Sequence, residues 1–235
     1  MLRDRDVFIL CGGLGTRLRA EISDRPKVLA EIDGQPFLGI LLDYLAGQGF
    51  TRFILGTGYK SEQIESFCRD KKSNLSVIFS REDEPLGTGG AIKYAKALIN
   101  SDVFFALNGD CFCPIDFAQM LKSHVRHEAC ATLAVSDVSE KQDFGAILLG
   151  PADKILNFSE KSTDPSAKYV SAGIYCFNKD IFKFMPAKKN FSIETEFFPD
   201  MVGKDFYGFK AGHEFIDIGT PDRLKRAKDF LMKGR

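Results

Sequence analysis

The sequence predicts an α/β fold, a parallel sheet covered by helices, in one domain. Three observations carry that prediction. Short apolar runs alternate with segments of helical apolar spacing through the first half of the chain. The runs at 7–10 and 103–107 are almost wholly apolar, as in strands covered on both faces. Glycines cluster at 12–15, just after an apolar run, and at 87–90, just before a helical segment.

Taken in order, residues 7–10 read as a buried strand. Residues 37–45 carry apolar side chains at helical spacing, and Gly47 and Gly49 supply a stop. Residues 52–55 form the next strand. Residues 61–69 read as a helix with Ile64, Phe67 and Cys68 on one face. A third strand spans 75–79, a third helix 91–99 and a fourth strand 103–107, which ends in Asn108-Gly109-Asp110. The β-α-β rhythm implies a parallel sheet, whose ligands bind at the carboxyl ends of the strands. Both the 12–17 loop and Asp110 sit at such ends. The second half is less regular. It predicts strands at 129–135, 146–149, 155–158, 173–177, 206–209 and 214–218, and helices at 115–124, 182–185, 193–201 and 223–231.

Composition excludes several classes of function. Of 235 residues, 44% are hydrophobic and 27% charged, a balance that folds around its own core. Lysine plus arginine (32) equals aspartate plus glutamate (32), so neither nucleic acid nor a membrane is expected as a partner. A local phosphate site is compatible with that sum. No apolar run approaches the ~20 residues of a membrane helix, and the acidic start does not read as a signal peptide. A cytoplasmic location is the expectation. The six cysteines read as reduced thiols. Cys111 and Cys113 lack the second pair that a metal site would need. A homodimer is compatible with the 22 phenylalanines, although core burial accounts for them better.

The strongest local signal is Leu10-Cys11-Gly12-Gly13-Leu14-Gly15-Thr16-Arg17-Leu18. Closely spaced glycines after a strand let backbone N–H groups turn toward an anion. Arg17 adds a planar fork suited to phosphate oxygens. The loop is neither a Walker loop nor a dinucleotide fingerprint. A plain strand-to-helix turn is the alternative. Lys27, in Pro26-Lys27, is a point charge that can reach a phosphate, or a solvated side chain. In Leu86-Gly87-Thr88-Gly89-Gly90-Ala91 the glycines suit either the close approach of a flat ligand or a tight helix start. Asp110, at the end of the apolar strand, is placed to hold Mg²⁺ or to close a turn. Asp217, between two isoleucines, calls for a metal or a basic partner if it is buried. Glu160-Lys161 closes another apolar strand.

The motifs Gly-Gly-Leu-Gly-Thr-Arg-Leu, Pro-Lys, Leu-Gly-Thr-Gly-Gly-Ala, Asn-Gly-Asp, Glu-Lys, Ala-Gly-Ile-Tyr and Ile-Asp-Ile-Gly-Thr-Pro occur in that order. The set resembles the sugar-1-phosphate nucleotidyltransferase family across residues 7–224, in particular its short guanylyltransferases for mannose-type or heptose 1-phosphates. Longer members carry a β-helix of hexapeptide repeats, and no such repeat is visible here. The resemblance implies a Rossmann-like three-layer α/β/α fold with a mixed, mostly parallel central sheet. Residues 1–113 would then form the nucleotide-binding half and residues 114–235 the sugar-phosphate-binding half. It implies that Leu10, Gly12, Gly13, Gly15, Thr16, Arg17, Gly87 and Thr88 bind the nucleotide, with Arg17, Lys27 and Lys161 as catalytic cations. It implies that Asp110 and Asp217 hold Mg²⁺, and that Asn108, Gly145, Glu160, Lys161 and Gly173 bind the sugar phosphate. Cys11 and Val28 replace the usual alanine and second proline, and Ser171 replaces a common asparagine.

The implied reaction is in-line attack of a sugar phosphate on the α-phosphorus of a nucleoside triphosphate, with pyrophosphate leaving. The nucleophile is already an anion, so no general base is assigned. Glu82 stands where readers of uracil or thymine tend to have glutamine. Its carboxylate is acceptor-only and matches the N1–H and N2 amino group of guanine, which points to GTP. Glu82 as one more solvated member of the acidic 82–84 loop is the alternative. Other readings keep the fold and use UTP, dTTP or CTP with another phosphate, act as a glycosyltransferase, or bind nucleotide sugars without catalysis.

Overall fold

Strand β1 (Asp6–Leu10) runs through the middle of the molecule because it is apolar on both faces. Val7 and Ile9 enter one core and Phe8 the other. The structure is a computed structural model that describes residues 1–13, 15–18, 22–71, 74–137, 145–160 and 168–232.

After β1 come the small hairpin β2 (Glu31–Ile32) and β3 (Gln35–Pro36), then α1 (Phe37–Gly47) and β4 (Arg52–Thr57). Next come α2 (Ser61–Asp70), β5 (Ser76–Arg81), α3 (Gly87–Tyr94), β6 (Val103–Asn108) and β7 (Cys111–Phe112). The second half holds α4 (Phe117–Arg126), β8 (Ala131–Ser136), β9 (Gly145–Leu149), β10 (Ile155–Glu160) and β11 (Tyr169–Asn178). It closes with α5 (Phe198–Met201), β12 (Phe206–Lys210), β13 (Ile216–Asp217) and α6 (Pro221–Met232).

The central sheet has the strand order β10-β9-β11-β6-β1-β4-β5, and β8 joins β11 to β12. β6, β1, β4 and β5 are parallel neighbours, the outcome expected of β-α-β units. β11 then enters antiparallel against β6 and carries the second half of the sheet. The result is a mixed sheet with a core on each face. One core takes Leu38, Leu41, Leu42 and Leu45 of α1 with Phe117 and Met120 of α4. In it Phe50, Phe105 and Phe117 meet edge to face, with centroids 5.3–5.4 Å apart. The other takes Ala91 and Ile92 of α3 with Phe198 and Met201 of α5. Each fully buried leucine, isoleucine, phenylalanine or methionine among them stabilises the fold by ~1.5–3 kcal/mol.

Several elements differ from the sequence reading. The third helix begins at Gly87, four residues early, because Gly87 takes a positive φ of 69° that ends the preceding loop. It closes in a 3₁₀ turn at Ala95–Ala97. The helix predicted at 182–185 is a 3₁₀ turn at Lys179–Lys183. The helix predicted at 193–201 splits into a π turn, Ile193–Phe197, and the short α5. The strand predicted at 214–218 shrinks to β13, and that at 173–177 lengthens to β11. Asp116 caps α4 by accepting the Gln119 N–H at 2.9 Å. Every cysteine is a free thiol, and among the described residues no helix is long and apolar enough to cross a membrane.

Candidate active site

The carboxyl ends of β1, β4 and β6 open into a cleft of about 660 Å³. β1 ends at Leu10, and the Cys11 N–H continues the ladder to the Gly56 carbonyl at 2.8 Å. Gly12 and Gly13 line the cleft. A Cβ on Gly13 would meet nothing within 4 Å, so this stretch of backbone faces open space. Gly15 has φ 59°, and a Cβ there would lie 3.1 Å from the Lys27 Cβ. Only glycine meets both conditions without strain. Thr16 and Arg17 follow in a 3₁₀ turn, both exposed, while Leu18 is buried as its anchor. Arg17 reaches toward Gly219, where a Cβ would lie 3.4 Å from its Nη2.

Backbone pairing brings the two aspartates together. β7 pairs antiparallel with β13 so that Cys111 opposes Asp217, and the Ile218 N–H donates to the Asp110 carbonyl at 2.9 Å. Gly109 lets this turn press against β1, its N–H on the Leu10 carbonyl at 2.9 Å. Lys27 forms an ion pair with Asp110. Arg223, on the first turn of α6, holds Asp217 with Nη1 3.1 Å from Oδ2. Burial pushes the Asp217 carboxyl above the usual range, opposed by the Gly219 N–H (2.8 Å) and Arg223. The negative charge of Asp110 adds to the upward shift of Asp217. Two carboxylates form a donor set for a hard divalent ion. Among the described residues no third His, Cys, Asp or Glu joins them.

At the other end of the cleft, Glu82 faces Gly12: a Cβ on Gly12 would lie 3.5 Å from Oε1. Its Oε2 accepts the Leu86 N–H at 3.1 Å. Burial raises the Glu82 pKa above the ordinary value, and the Leu86 N–H opposes that shift. Glu82 is therefore a half-buried lining residue and not a solvated loop acid.

The second glycine turn does something different from the ligand reading. A Cβ on Gly87 would strike the Phe191 carbonyl, one on Gly89 the Phe191 ring, and one on Gly90 the Lys189 carbonyl. Both Gly89 and Gly90 donate N–H to the Phe191 carbonyl, at 3.0 and 3.2 Å. These glycines admit the chain's own segment 189–191. Gly87 and Thr88 still border the cleft. The Thr88 hydroxyl, however, donates to Glu194 at 2.6 Å and accepts the Ile193 N–H at 2.9 Å.

On the acceptor side Gly145 opposes Glu160 across β9 and β10, and a Cβ on Gly145 would lie 3.0 Å from Glu160 Oε2. Gly173 sits in a bulge of β11, between the Ser171–Val135 and Tyr175–Leu133 pairs. With φ 69° and Asn108 Nδ2 2.9 Å from any Cβ, it too must be glycine. Asn108 Oδ1 is buried and, among the described residues, has no hydrogen-bond partner. Lys161 lies outside the described residues. The structure thus groups Arg17, Lys27, Asp110 and Asp217, and sets Asn108 beside Gly173. Sequence reasoning missed Arg223 and Glu194. A signal existed for Arg223: Thr220-Pro221 marks a helix start that turns residue 223 back over Asp217.

Residues 7–234 match the family described as nucleotidyl transferase. The chain is 37% identical over 228 residues to a D-glycero-alpha-D-manno-heptose 1-phosphate guanylyltransferase of Aneurinibacillus thermoaerophilus, covering 97% of this chain and 98% of that one. It is 33% identical to a mannose-1-phosphate guanylyltransferase of Mycobacterium tuberculosis, covering 97% of this chain and 65% of that enzyme. Among solved structures, HddC from Yersinia pseudotuberculosis superposes with a TM-score of 0.85 at 35% identity, covering 97% of this chain and 99% of that one. The same protein is known in complex with GMP-PN, with a TM-score of 0.84. The chain belongs to the nucleotidyl transferase family.

Proposed function

We propose that the protein joins GTP to a heptose- or mannose-type 1-phosphate, giving a GDP-sugar and pyrophosphate. One observation carries this reading: Lys27 and Asp110, an ion pair, line a cleft that Glu82 also lines, and Asp217 and Arg17 gather beside that pair. The guanylyltransferase relatives support it.

The barrier to such a reaction is the approach of two anions, so positioning and charge neutralisation dominate. In this reading the 12–15 backbone receives the triphosphate, and Arg17 and Lys27 neutralise its oxygens. Glu82 accepts hydrogen bonds from the guanine N1–H and N2 amino group. The acceptor phosphate enters from the side of Asn108, Gly145, Glu160 and Gly173, with Lys161 as its cation. Asn108 Oδ1, which lacks a partner among the described residues, accepts a sugar hydroxyl. Asp110 and Asp217, as hard oxygen donors, would hold Mg²⁺. The chemistry such an ion supplies is charge neutralisation at the α-phosphate. The chain works as one domain, with the nucleotide held mainly by residues 1–113 and the sugar phosphate by residues 114–235.

The test is a pyrophosphate-release assay with Mg²⁺, crossing five nucleoside triphosphates with a panel of hexose and heptose 1-phosphates. Turnover confined to GTP is expected. Turnover with UTP, dTTP or CTP in its place overturns the base assignment, and release of a nucleoside diphosphate overturns the reaction.

A further inference from the structure

A hydrogen-bonded path runs from Glu82 in the cleft to Tyr175 on β11, the strand that carries Gly173. At the base end Glu82 Oε2 accepts the Leu86 N–H. The Leu86 carbonyl accepts the Phe191 N–H at 3.0 Å, and the Phe191 carbonyl accepts Gly89 and Gly90. Just before those glycines, the Thr88 hydroxyl accepts the Ile193 N–H and donates to Glu194 Oε2. Ser192 Oγ gives the same oxygen a second donor at 3.1 Å. Glu194 Oε1 accepts the hydroxyl of Tyr175, wholly buried in β11, at 3.3 Å. Tyr175 lies two residues beyond Gly173 on the same strand, and the Gly173 N–H donates to the Ser171 hydroxyl oxygen at 3.3 Å. Gly173 is the left-handed residue of the bulge against Asn108.

Glu194 sits at the centre of this path, in the π turn. Such turns interrupt a helix where a side chain must be aimed. Among the described residues three hydroxyls donate to its carboxylate. A carboxylate only accepts, so each of the three must donate. The protons of Thr88, Ser192 and Tyr175 therefore point at Glu194, while the Thr88 oxygen accepts the Ile193 N–H. An amide of the same shape keeps one acceptor oxygen and puts an NH₂ donor in place of the other.

We propose that Glu194 is a positioning residue that aligns the base-reading and sugar-facing ends of the cleft by setting the direction of hydrogen bonds along this path. The inference rests on the guanylyltransferase reading above. It assigns Glu194 no contact with the reacting atoms. Its effect passes through Thr88 to the glycine turn beside Glu82, and through Tyr175 along β11 to Gly173.

The test compares Glu194→Gln, Thr88→Val and their double variant in steady-state kinetics, with thermal unfolding as a control. Glu194→Gln is isosteric and keeps the fold. It is expected to raise KM for the sugar 1-phosphate and to lower GTP-over-UTP discrimination. Each change is about tenfold, the range for groups in one hydrogen-bond network. Thr88→Val is expected to do the same, Thr88→Ser to restore wild-type values, and the double variant to be no worse than either single one. A Glu194→Gln enzyme with wild-type KM and discrimination, or with a lowered Tm as its sole change, overturns the proposal. So do additive effects in the double variant. Absence of turnover in the wild-type enzyme would remove the function reading and this inference with it. Wild-type turnover with an unaffected Glu194→Gln removes this inference alone.

Discussion

Arg223 holds Asp217 with one guanidinium nitrogen, Nη1 lying 3.1 Å from Oδ2 and 3.4 Å from Oδ1. Both side chains are largely buried, 12% and 8% exposed, so water screens the pair little. Arg223 thus fixes where the aspartate points. Replacing Arg223 with methionine leaves a buried carboxylate without that cation. By analogy with outer-shell partners of metal ligands, activity or apparent Mg²⁺ affinity is expected to fall ~10–100-fold. A Mg²⁺ titration of turnover measures this, and an unchanged midpoint and rate would contradict it.

Lys27 also pairs with a candidate metal carboxylate, Asp110, but unlike Arg223 it lines the cleft that an incoming ion would enter. The protein therefore holds both candidate metal carboxylates paired with its own cations. Weak binding of Mn²⁺ in the absence of nucleotide is the expected outcome, because the ion must compete with Lys27. Lys27→Met is expected to tighten nucleotide-free Mn²⁺ binding by about tenfold, equivalent to ~1.4 kcal/mol, while weakening GTP binding. Calorimetry of each ligand separately checks both signs.

Glu82 gives a pH signature. Burial raises its pKa, so it gains a proton on acidification earlier than an ordinary glutamate does. A protonated carboxyl is no longer acceptor-only, and the match to guanine is lost. GTP-over-UTP discrimination is expected to decline as pH falls, beginning above the ordinary glutamate range. Glu82→Gln is expected to remove both the discrimination and its pH dependence. Competition between the two nucleotides at a series of pH values reads both.

Asp6 governs stability and not catalysis. It accepts the N–H groups of Asn100 (2.6 Å) and Ser101 (2.8 Å), and pairs with Arg52. Burial pushes its carboxyl up, but these bonds outweigh burial and leave the pKa below the ordinary value. A depressed folded-state pKa contributes stability that is present above the unfolded pKa and lost as pH falls through the folded one. Asp6→Asn is expected to cost ~3 kcal/mol, the scale for breaking a buried pair. Denaturant unfolding at neutral pH measures that loss, and the difference from wild type is expected to narrow in acid.

What could be read from the sequence follows sequence distance. The turn after β1 was legible because closely spaced glycines set the backbone locally, whereas the approach of Arg17 to Gly219 was not. Asp110 and Asp217 needed a resemblance, since nothing local says that β7 and β13 pair across the chain. The glycines at 87–90 were legible as a constraint, but the occupant of the space they leave, segment 189–191, lies a hundred positions away. The π turn escaped because its apolar spacing is close to that of an α-helix. Glu194 had no sequence signal, as each side-chain partner except Ser192 comes from a different element.

The two-residue ladder between β7 and β13 has a consequence for the newborn chain. Asp110 emerges from the ribosome long before Asp217, and the pair does not exist until Ile216 and Asp217 have docked on Cys111 and Phe112. A half-made polypeptide would carry the glycine loop after β1 without Asp217. Competence for chemistry would arrive in a single late step, when the last short strand closes.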